Sequence, residues 1–232
     1  MATPASTRNI PARFAPAARI NRSLTASLEK RLLEAMARGA PRWITSDRLT
    51  ALGLAAQFGA GFFYAVARWH RWALLLVIGC IALNWFGDSL DGTLARVRQQ
   101  QRPRYGFYVD HVVDIFGATA LMTGLACSRF VHWPIALLML LAFLLLSAES
   151  YLAAHTLARF EMSQGFFGPT EIRILLIVGT LALLHSPWAT VFDHRLLLFD
   201  IGGAIASGCM FATLVAVTTR HTIQLYREEP LP

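Results

Sequence analysis

Charged side chains are scarce in this sequence. Asp, Glu, Lys and Arg make up 15% of the 232 residues, while apolar types make up 55%. An average soluble domain has roughly 25% charged residues, and a soluble globule with so little charge could not cover its own surface. So high an apolar content also excludes a disordered or collagen-like chain. Together with a mean hydropathy of +0.47, this composition indicates an integral membrane protein.

Lysine and cysteine are also rare. All but one of the 21 Lys and Arg residues are arginine, and the formal net charge is +7. These cations lie between apolar runs, so we attribute them to membrane orientation and to contact with anionic lipid headgroups, and not to nucleic-acid binding. An odd count of three cysteines without short spacings predicts neither a disulfide framework nor a zinc site.

The first 22 residues contain no acidic side chain and no apolar run. This composition predicts a disordered basic tail over residues 1–22. A secretory signal is excluded because the segment has no apolar core, and an organellar transit peptide is the alternative for such an arginine-rich stretch.

An amphipathic helix is predicted over residues 23–40. Ser23 is a suitable N-cap, and Gly39 followed by Pro41 is a suitable stop. Apolar residues recur every four positions, at Leu24, Leu28, Leu32 and Met36. We expect this helix to lie along the membrane surface before the first span, or to pack against another part of the protein.

Six apolar spans follow, in a predicted catalytic domain over residues 41–222 with a cytoplasmic tail at 223–232. At about 1.5 Å per residue, each covers most of a hydrocarbon core of about 30 Å. Their predicted limits are 49–67, 72–98, 105–127, 133–157, 171–186 and 196–219. The fold class is therefore an all-α integral membrane protein with six transmembrane helices preceded by an amphipathic juxtamembrane helix.

The arginines predict the orientation. With the N-terminus in the cytoplasm, seventeen Lys and Arg residues lie on that side and four on the other. Positive residues concentrate on the cytoplasmic side of membrane proteins. We therefore expect a multi-pass protein with both termini cytoplasmic, in a bacterial inner membrane.

Four aspartates lie at the adjoining ends of the second and third spans. Asp88 and Asp91 are three residues apart, and Asp110 and Asp114 are four apart. Each pair therefore shares one face of its helix. Because a short loop joins the two helices, we expect both pairs at the same, cytoplasmic end.

These carboxylates are costly to keep in a membrane. Each charge costs about 2.5–3.5 kcal/mol at the bilayer centre and less near the interface, and mutual repulsion adds to this cost unless cations are bound. Carboxylate oxygens suit hard divalent ions, so the spacing predicts a site for one or two Mg²⁺ or Mn²⁺ ions.

Small residues surround the carboxylates. Gly92 follows Asp91, and Gly106 lies one turn before Asp110, where glycine lets a ligand approach the backbone closely. Ala95 continues the same face without bulk, and Arg96 offers a planar cation suited to phosphate. The pattern predicts a pocket for a ligand that bears a pyrophosphate group.

The run Asp-x-x-Asp-Gly-x-x-Ala-Arg, followed after nine residues by Gly-x-x-x-Asp-x-x-x-Asp, resembles the signature of the CDP-alcohol phosphotransferase (phosphatidyltransferase) family. All eight positions are filled, by Asp88, Asp91, Gly92, Ala95, Arg96, Gly106, Asp110 and Asp114. The resemblance implies six transmembrane helices, cytoplasmic termini and a homodimer. It also implies that the four aspartates are metal ligands.

The resemblance further implies that Asp114 is the general base and that Gly92, Ala95, Arg96 and Gly106 form the cytidine nucleotide pocket. Family members often begin the first span with Pro-Asn-x-x-Thr. Here the stretch is Ser46-Asp47-Arg48-Leu49-Thr50, so only Thr50 is carried over, as a nucleotide-binding residue.

We accordingly expect an enzyme of phospholipid synthesis. It transfers a substituted phosphate, first of all phosphatidyl from CDP-diacylglycerol, from a CDP-linked lipid or alcohol donor to an alcohol hydroxyl, and it releases CMP. Membrane lipids and a second copy of the chain are the expected partners, without nucleic acid. Glu149-x-Tyr151 and Gly168-Pro-x-Glu171 weakly resemble the choline/ethanolamine phosphotransferase branch, whose donors are CDP-aminoalcohols and whose acceptor is diacylglycerol.

Polar residues outside the signature are candidates for the acceptor site. Glu149, Glu171 and Arg173 lie toward the cytoplasmic ends of their spans, and a hydrogen bond to a neighbouring helix is the alternative role for Glu149. Their acidic members favour a cationic or neutral alcohol. Asn84, one turn from Asp88, is expected to line the cavity, and Asp200 to be an interfacial charge.

Two rival functions remain. Intramembrane carboxylates are also typical of cation- or proton-coupled transporters, which usually place them near the midplane between inverted repeats. Here they cluster at one end without a visible repeat. An inactive scaffold is the second rival, and the complete signature argues against it.

Overall fold

The structure is a computed structural model that describes residues 18–20, 26–157, 159–161, 169–191 and 193–229. These residues form seven helices and four short strands. In chain order the elements are β1 (Ala18–Ile20), α1 (Ala26–Gly39), α2 (Ser46–Val66), α3 (Ala73–Val97), α4 (Pro103–Ala126), α5 (Trp133–Thr156), β2 (Arg159–Glu161), α6 (Pro169–His185), β3 (Trp188–Val191), β4 (His194–Leu197) and α7 (Leu198–Glu228).

Five helices are long and apolar enough to cross a membrane: α2, α3, α4, α5 and α7. This agrees with the prediction of an integral membrane protein. The predicted span 171–186 corresponds to α6, which has 17 residues and is not among the five. The last helix continues through Glu228, beyond the predicted limit of 219, because the polar residues that follow the apolar stretch remain helical.

Two small sheets depart from the all-helical prediction. β1 pairs in parallel with β2, so three residues of the predicted basic tail lie against the connection between α5 and α6. β3 and β4 form an antiparallel hairpin before α7, and its turn contains Asp193, whose φ of 63° lies in the left-handed region. The rest of the predicted tail, the predicted N-cap Ser23 and Gly168 lie outside the described residues.

Helix α2 touches α3 and α4 almost backbone to backbone. A Cβ atom added to Gly87 of α3 would lie 2.6 Å from the carbonyl oxygen of Leu49. On the other side, a Cβ atom added to Gly124 of α4 would lie 1.9 Å from the carbonyl oxygen of Gly61. Small residues at helix crossings permit this close approach in membrane proteins. Three consecutive helices are thus held together as one unit around α2.

The main apolar core lies in the half of this unit away from the α3–α4 loop. Tyr64, Leu74 and Val77 are fully buried there. The Tyr64 hydroxyl shares a 2.6 Å hydrogen bond with Thr180 of α6, which satisfies its polar end. At the edge of this core, the Arg71 guanidinium donates to the carbonyl oxygen of Leu183 near the end of α6. These contacts attach α6 to α2 and to the start of α3.

Helices α5 and α7 run side by side and bury few residues. At their first turns, the backbone N–H of His132 donates to Asp200 Oδ1 at 2.8 Å, and the His132 ring contacts the other carboxylate oxygen. Asp200, predicted as an interfacial charge, therefore connects the starts of the two helices. The same side of α7 packs Gly203 against Ile135 and Met139 of α5.

The amphipathic helix α1 packs against the end of α3. Leu33 and Ala37 are buried in a second cluster with Leu90 and Leu94 of α3. Leu32, a member of the predicted apolar stripe, is instead 49% exposed, because the buried face is rotated by about one residue. Of the two expectations for this helix, packing against the protein is therefore observed for Leu33 and Ala37.

Arg98 attaches the α1–α2 linker to the end of α3. Its guanidinium donates to the carbonyl oxygens of Ile44 at 2.6 Å, Ala40 at 2.9 Å and Pro41 at 2.9 Å. One planar cation thus satisfies three carbonyl groups of a segment without regular structure. This contact and the α1 cluster fix the start of α2 next to the end of α3.

The glycine contacts predict opposite effects for two alanine substitutions in α3. Gly87→Ala should destabilise the protein by about 1–3 kcal/mol, since the new methyl group meets backbone atoms that cannot move aside. Gly79→Ala meets no atom within 4 Å and should stabilise by about 0.5–1 kcal/mol. SDS-induced unfolding followed by circular dichroism measures both. Equal stability of the two variants would contradict the close α2–α3 contact.

The Arg98 contacts predict local loosening in Arg98→Gln. Hydrogen bonds to a charged donor contribute about 1.5–3 kcal/mol, so amide hydrogen exchange in α1 and residues 40–45 should accelerate by about tenfold or more. Arg104→Gln, at an exposed arginine on α4, is the matched control. Unchanged exchange in Arg98→Gln would show that the linker is held without Arg98.

Candidate active site

The four aspartates of the signature lie together where α3 ends and α4 begins. The connection is short because Gln99 adopts a φ of 54° and the Gln100 N–H returns to the Ala95 carbonyl oxygen at 2.9 Å. Pro103 then starts α4. The carboxylate of Asp114 interacts electrostatically with those of Asp88, Asp110 and Asp91. The structure thus brings the four carboxylates within electrostatic range of one another.

The start of α2 holds Asp91 in place. Asp91 is buried, with 6% exposure. The Thr50 hydroxyl donates to its Oδ2 at 2.6 Å, and the Gly92 N–H donates to its Oδ1. The Ser46 hydroxyl donates to the backbone carbonyl of Asp91 at 2.9 Å. Thr50, predicted to bind nucleotide, is therefore in contact with a predicted metal ligand.

Arg173 of α6 reaches Asp88 of α3. Its Nη2 lies 2.6 Å from Asp88 Oδ2, and its Nε donates to Asn84 Oδ1 at 2.9 Å. Asn84 is itself buried and donates through Nδ2 to the Gly53 carbonyl oxygen at 3.0 Å. The charge of Arg173 also acts on Asp114. Arg173 and Asn84 are thus part of the carboxylate cluster.

Aromatic side chains of α4 and α5 pack together next to Asp110. The ring of His111, next to Asp110, packs against Phe107 and meets Tyr151 of α5 edge-on, with 4.4 Å between the ring centroids. His111 Nδ1 lies 2.5 Å from the Phe107 carbonyl oxygen. The Tyr151 hydroxyl lies within electrostatic range of the Asp114 carboxylate. His111 therefore packs between helices, as its position on the face next to Asp110 suggests.

The donor set fits a hard divalent ion, because the four carboxylate groups lie within electrostatic range of one another and their oxygens are the ligands that Mg²⁺ and Mn²⁺ prefer. The side chains do not yet form a closed ligand shell: among the described residues, no three His, Cys, Asp or Glu side chains are close enough together to hold an ion. A physical reason is visible, since Asp88 is engaged by Arg173 and both oxygens of Asp91 accept hydrogen bonds.

The small residues of the signature leave room at this end. A Cβ atom added to Gly106 would meet nothing within 4 Å, so helix packing does not require glycine there. A Cβ atom at Gly92 would lie 3.6 Å from Arg96 Nη1. The Arg96 guanidinium is held over this turn by Thr93, whose hydroxyl accepts from Nη2 at 2.8 Å. The arginine therefore lies along the helix beside the aspartates.

A cavity of about 440 Å³ adjoins the signature between the start of α2 and the α3–α4 loop. Ala95 is its one lining residue from the signature, and the four aspartates lie outside the lining. Two of its lining residues, Arg102 and Asp47, form an ion pair, and this hydrogen bond raises the pKa of Arg102. The full lining is Thr45, Ser46, Asp47, Leu94, Ala95, Arg98, Gln100, Gln101 and Arg102.

Sequence reasoning missed most of this lining. The predicted site residues do not include Arg98, Gln100, Gln101 or Arg102. Their neighbours Thr45 and Ser46 are more than 45 residues earlier in the chain, so no local spacing indicates the contact. The run of polar residues between the second and third predicted spans is the local pattern that indicates this loop.

The predicted acceptor residues have different surroundings. Glu149 Oε1 lies 2.6 Å from His221 Nδ1, and both side chains are largely buried between α5 and α7. This is the interhelical hydrogen bond given above as the alternative for Glu149. Glu171 is buried in the first turn of α6. Of the three, Arg173 is the residue that reaches Asp88.

Comparison with known protein families agrees with the signature. The family described as CDP-alcohol phosphatidyltransferase matches residues 43–219, which include α2 to α6 and most of α7. A comparison with curated proteins found no match. The matched region contains every residue of the carboxylate cluster, and the chain therefore belongs to the CDP-alcohol phosphatidyltransferase family, whose members are transferases of substituted phosphate groups.

Proposed function

We propose that this protein transfers a phosphatidyl group from CDP-diacylglycerol to the hydroxyl of an alcohol and releases CMP, with Mg²⁺ or Mn²⁺ as cofactor. The observation that carries the proposal is the convergence of Asp88, Asp91, Asp110 and Asp114 at one end of α3 and α4, within the region that matches the family.

The aspartates would hold one or two divalent ions. When bound, such ions neutralise the phosphate oxygens of the donor and the charge that develops on the leaving CMP. Thr50 and the Gly92 N–H orient Asp91 for this role. Arg173 holds one oxygen of Asp88, so its other oxygen is available to a ligand.

Asp114 is the proposed general base. It accepts the proton of the acceptor hydroxyl, whose oxygen attacks the β-phosphorus of the donor in line with the leaving CMP.

The nucleotide is proposed to lie between α2, α3 and the α3–α4 loop. Gly92, Ala95, Arg96, Gly106 and Thr50 would contact it. The cavity next to Ala95 supports this placement, since its volume of about 440 Å³ lies in the range of about 300–1,000 Å³ that is usual for small-molecule sites. Open space beside Gly106 supports it as well.

We further propose six membrane spans, with α6 as the shortest. Both termini and the carboxylate cluster would face the cytoplasm of a bacterial inner membrane, as a homodimer. The uneven distribution of arginine supports this orientation. Helix α1 would lie at the membrane surface, where the exposed Leu32 could contact lipid while Leu33 faces α3.

Replacing the proposed base should abolish turnover. In Asp114→Asn, metal-dependent release of CMP from CDP-diacylglycerol should fall by about 10²–10⁴-fold, the usual contribution of a general base. Asp200→Asn is the matched control, because Asp200 lies at the opposite ends of the helices, beside His132. Chelation of divalent ions should stop the wild type, and Mg²⁺ or Mn²⁺ should restore it.

Two outcomes would count against this function. A wild-type rate of CMP release in Asp114→Asn would exclude Asp114 as the general base. No CMP release from CDP-diacylglycerol, or from CDP-choline or CDP-ethanolamine with diacylglycerol, would favour the transporter or scaffold instead. Release from the CDP-aminoalcohols alone would indicate the choline/ethanolamine branch.

The acceptor is proposed to be a cationic or neutral alcohol, because Glu171 in the first turn of α6 is acidic. A panel of inositol phosphate, glycerol phosphate, serine, an aminoalcohol and a lipid alcohol, each supplied with the active donor, tests this. We expect turnover with an unphosphorylated member. Turnover of phosphorylated alcohols alone would contradict the proposal and would favour Arg173 as the acceptor contact.

A further inference from the structure

Arg173 is a cation that lies inside the proposed metal site. Its side chain is 13% exposed, whereas that of Asp88 is 39% exposed. Its Nη2 engages Asp88 Oδ2 at 2.6 Å, and its charge acts on Asp114 as well. It comes from α6, whereas the four aspartates come from α3 and α4. A third helix thus contributes a positive charge to the carboxylate cluster.

The guanidinium is also held in a fixed orientation. Nε donates to Asn84 Oδ1 at 2.9 Å, and Asn84 is fixed in turn by its bond to the Gly53 carbonyl oxygen. An asparagine from α3 and the backbone of α2 therefore aim Arg173 at Asp88. Ordering a long, flexible arginine side chain costs conformational entropy. The charge-assisted hydrogen bonds of Nε and Nη2 offset that cost.

We propose that Arg173 is a resident counter-cation of the carboxylate cluster, which stabilises the protein when no divalent ion is bound and competes with that ion for Asp88. This inference rests on the metal-dependent function proposed above. Arg173 then has a role that is independent of binding the acceptor alcohol.

Electrostatics gives the direction of both effects. Four ionised aspartates that converge without a cation repel one another, and one guanidinium removes part of that repulsion. A divalent ion near Asp88 and Asp114 would be repelled by the same guanidinium, at an effective dielectric constant well below that of water. The residue that stabilises the metal-free protein therefore weakens metal binding.

Removing the charge tests this directly. Purified full-length protein in lipid nanodiscs is titrated with Mn²⁺ alone, and free Mn²⁺ is measured by electron paramagnetic resonance. Arg173→Gln should bind Mn²⁺ on the order of tenfold more tightly than the wild type, since a unit charge a few ångströms away contributes at least this much. No donor or acceptor is present, so contacts with substrate cannot influence the result.

A second readout is thermal stability. Without metal, Arg173→Gln should unfold at a lower temperature than the wild type, and saturating Mn²⁺ should raise its midpoint by more than it raises that of the wild type. Arg71→Gln is the matched control: it also removes a guanidinium that joins α6 to the bundle, but at the Leu183 end. That control should lose stability without a change in Mn²⁺ affinity.

The outcomes separate this inference from the proposed function. Unchanged or weaker Mn²⁺ binding in Arg173→Gln would overturn it, and weaker binding would make Arg173 a residue that positions Asp88 for the ion. A wild type without saturable Mn²⁺ binding would contradict both proposals. If Arg173→Gln does not fold, Arg173→Met replaces it, since methionine keeps a long unbranched stem and removes the charge. It should still bind Mn²⁺ more tightly than the wild type, and equal affinity would overturn the inference.

Discussion

The close approach of α2 to α3 and α4 is the contact on which the site depends. At Gly87 and Gly124 there is no space for a Cβ atom, since backbone atoms of α2 occupy it. Because both neighbours lie against the same helix, the end of α3 and the start of α4 are brought together. The short α3–α4 loop joins the two helices at the end that carries the four aspartates, and there Thr50 of α2 lies within hydrogen-bond distance of Asp91.

The charges at this end are compensated by side chains from other helices. Thr50 and the Gly92 N–H satisfy Asp91, and Arg173 compensates part of the charge of Asp88. Nearby, Arg98 attaches the α1–α2 linker through its carbonyl groups, and Arg102 pairs with Asp47 at the start of α2. The carboxylates therefore lie within a network that also fixes the start of α2. Metal and donor binding would change the charge balance of this network, and α6 is coupled to it through Arg173.

Much of this arrangement can be predicted from the chain. The apolar runs predict the five long helices to within a few residues at most ends, and the spacings of Asp88, Asp91, Asp110 and Asp114 predict two pairs at one end. The contacts of Arg173 and Asn84 are different, because 89 positions separate these residues and no local pattern connects them. The partner of Glu149, His221, is 72 positions away. The predicted buried face of α1 is also wrong by about one residue, because contact with α3 buries Leu33 and leaves Leu32 exposed.

The membrane character, the long helices and the spacing of the signature aspartates can be predicted from the chain, because apolar run length and residue spacing along a helix are local properties. Which side chains share the site follows from helix packing: Arg173 engages Asp88, Thr50 engages Asp91, and a cavity lies between residues 45–47 and the α3–α4 loop. These contacts depend on how helices far apart in the chain cross. That crossing is fixed by packing at positions such as Gly61 and Gly124, whose consequences appear only in three dimensions.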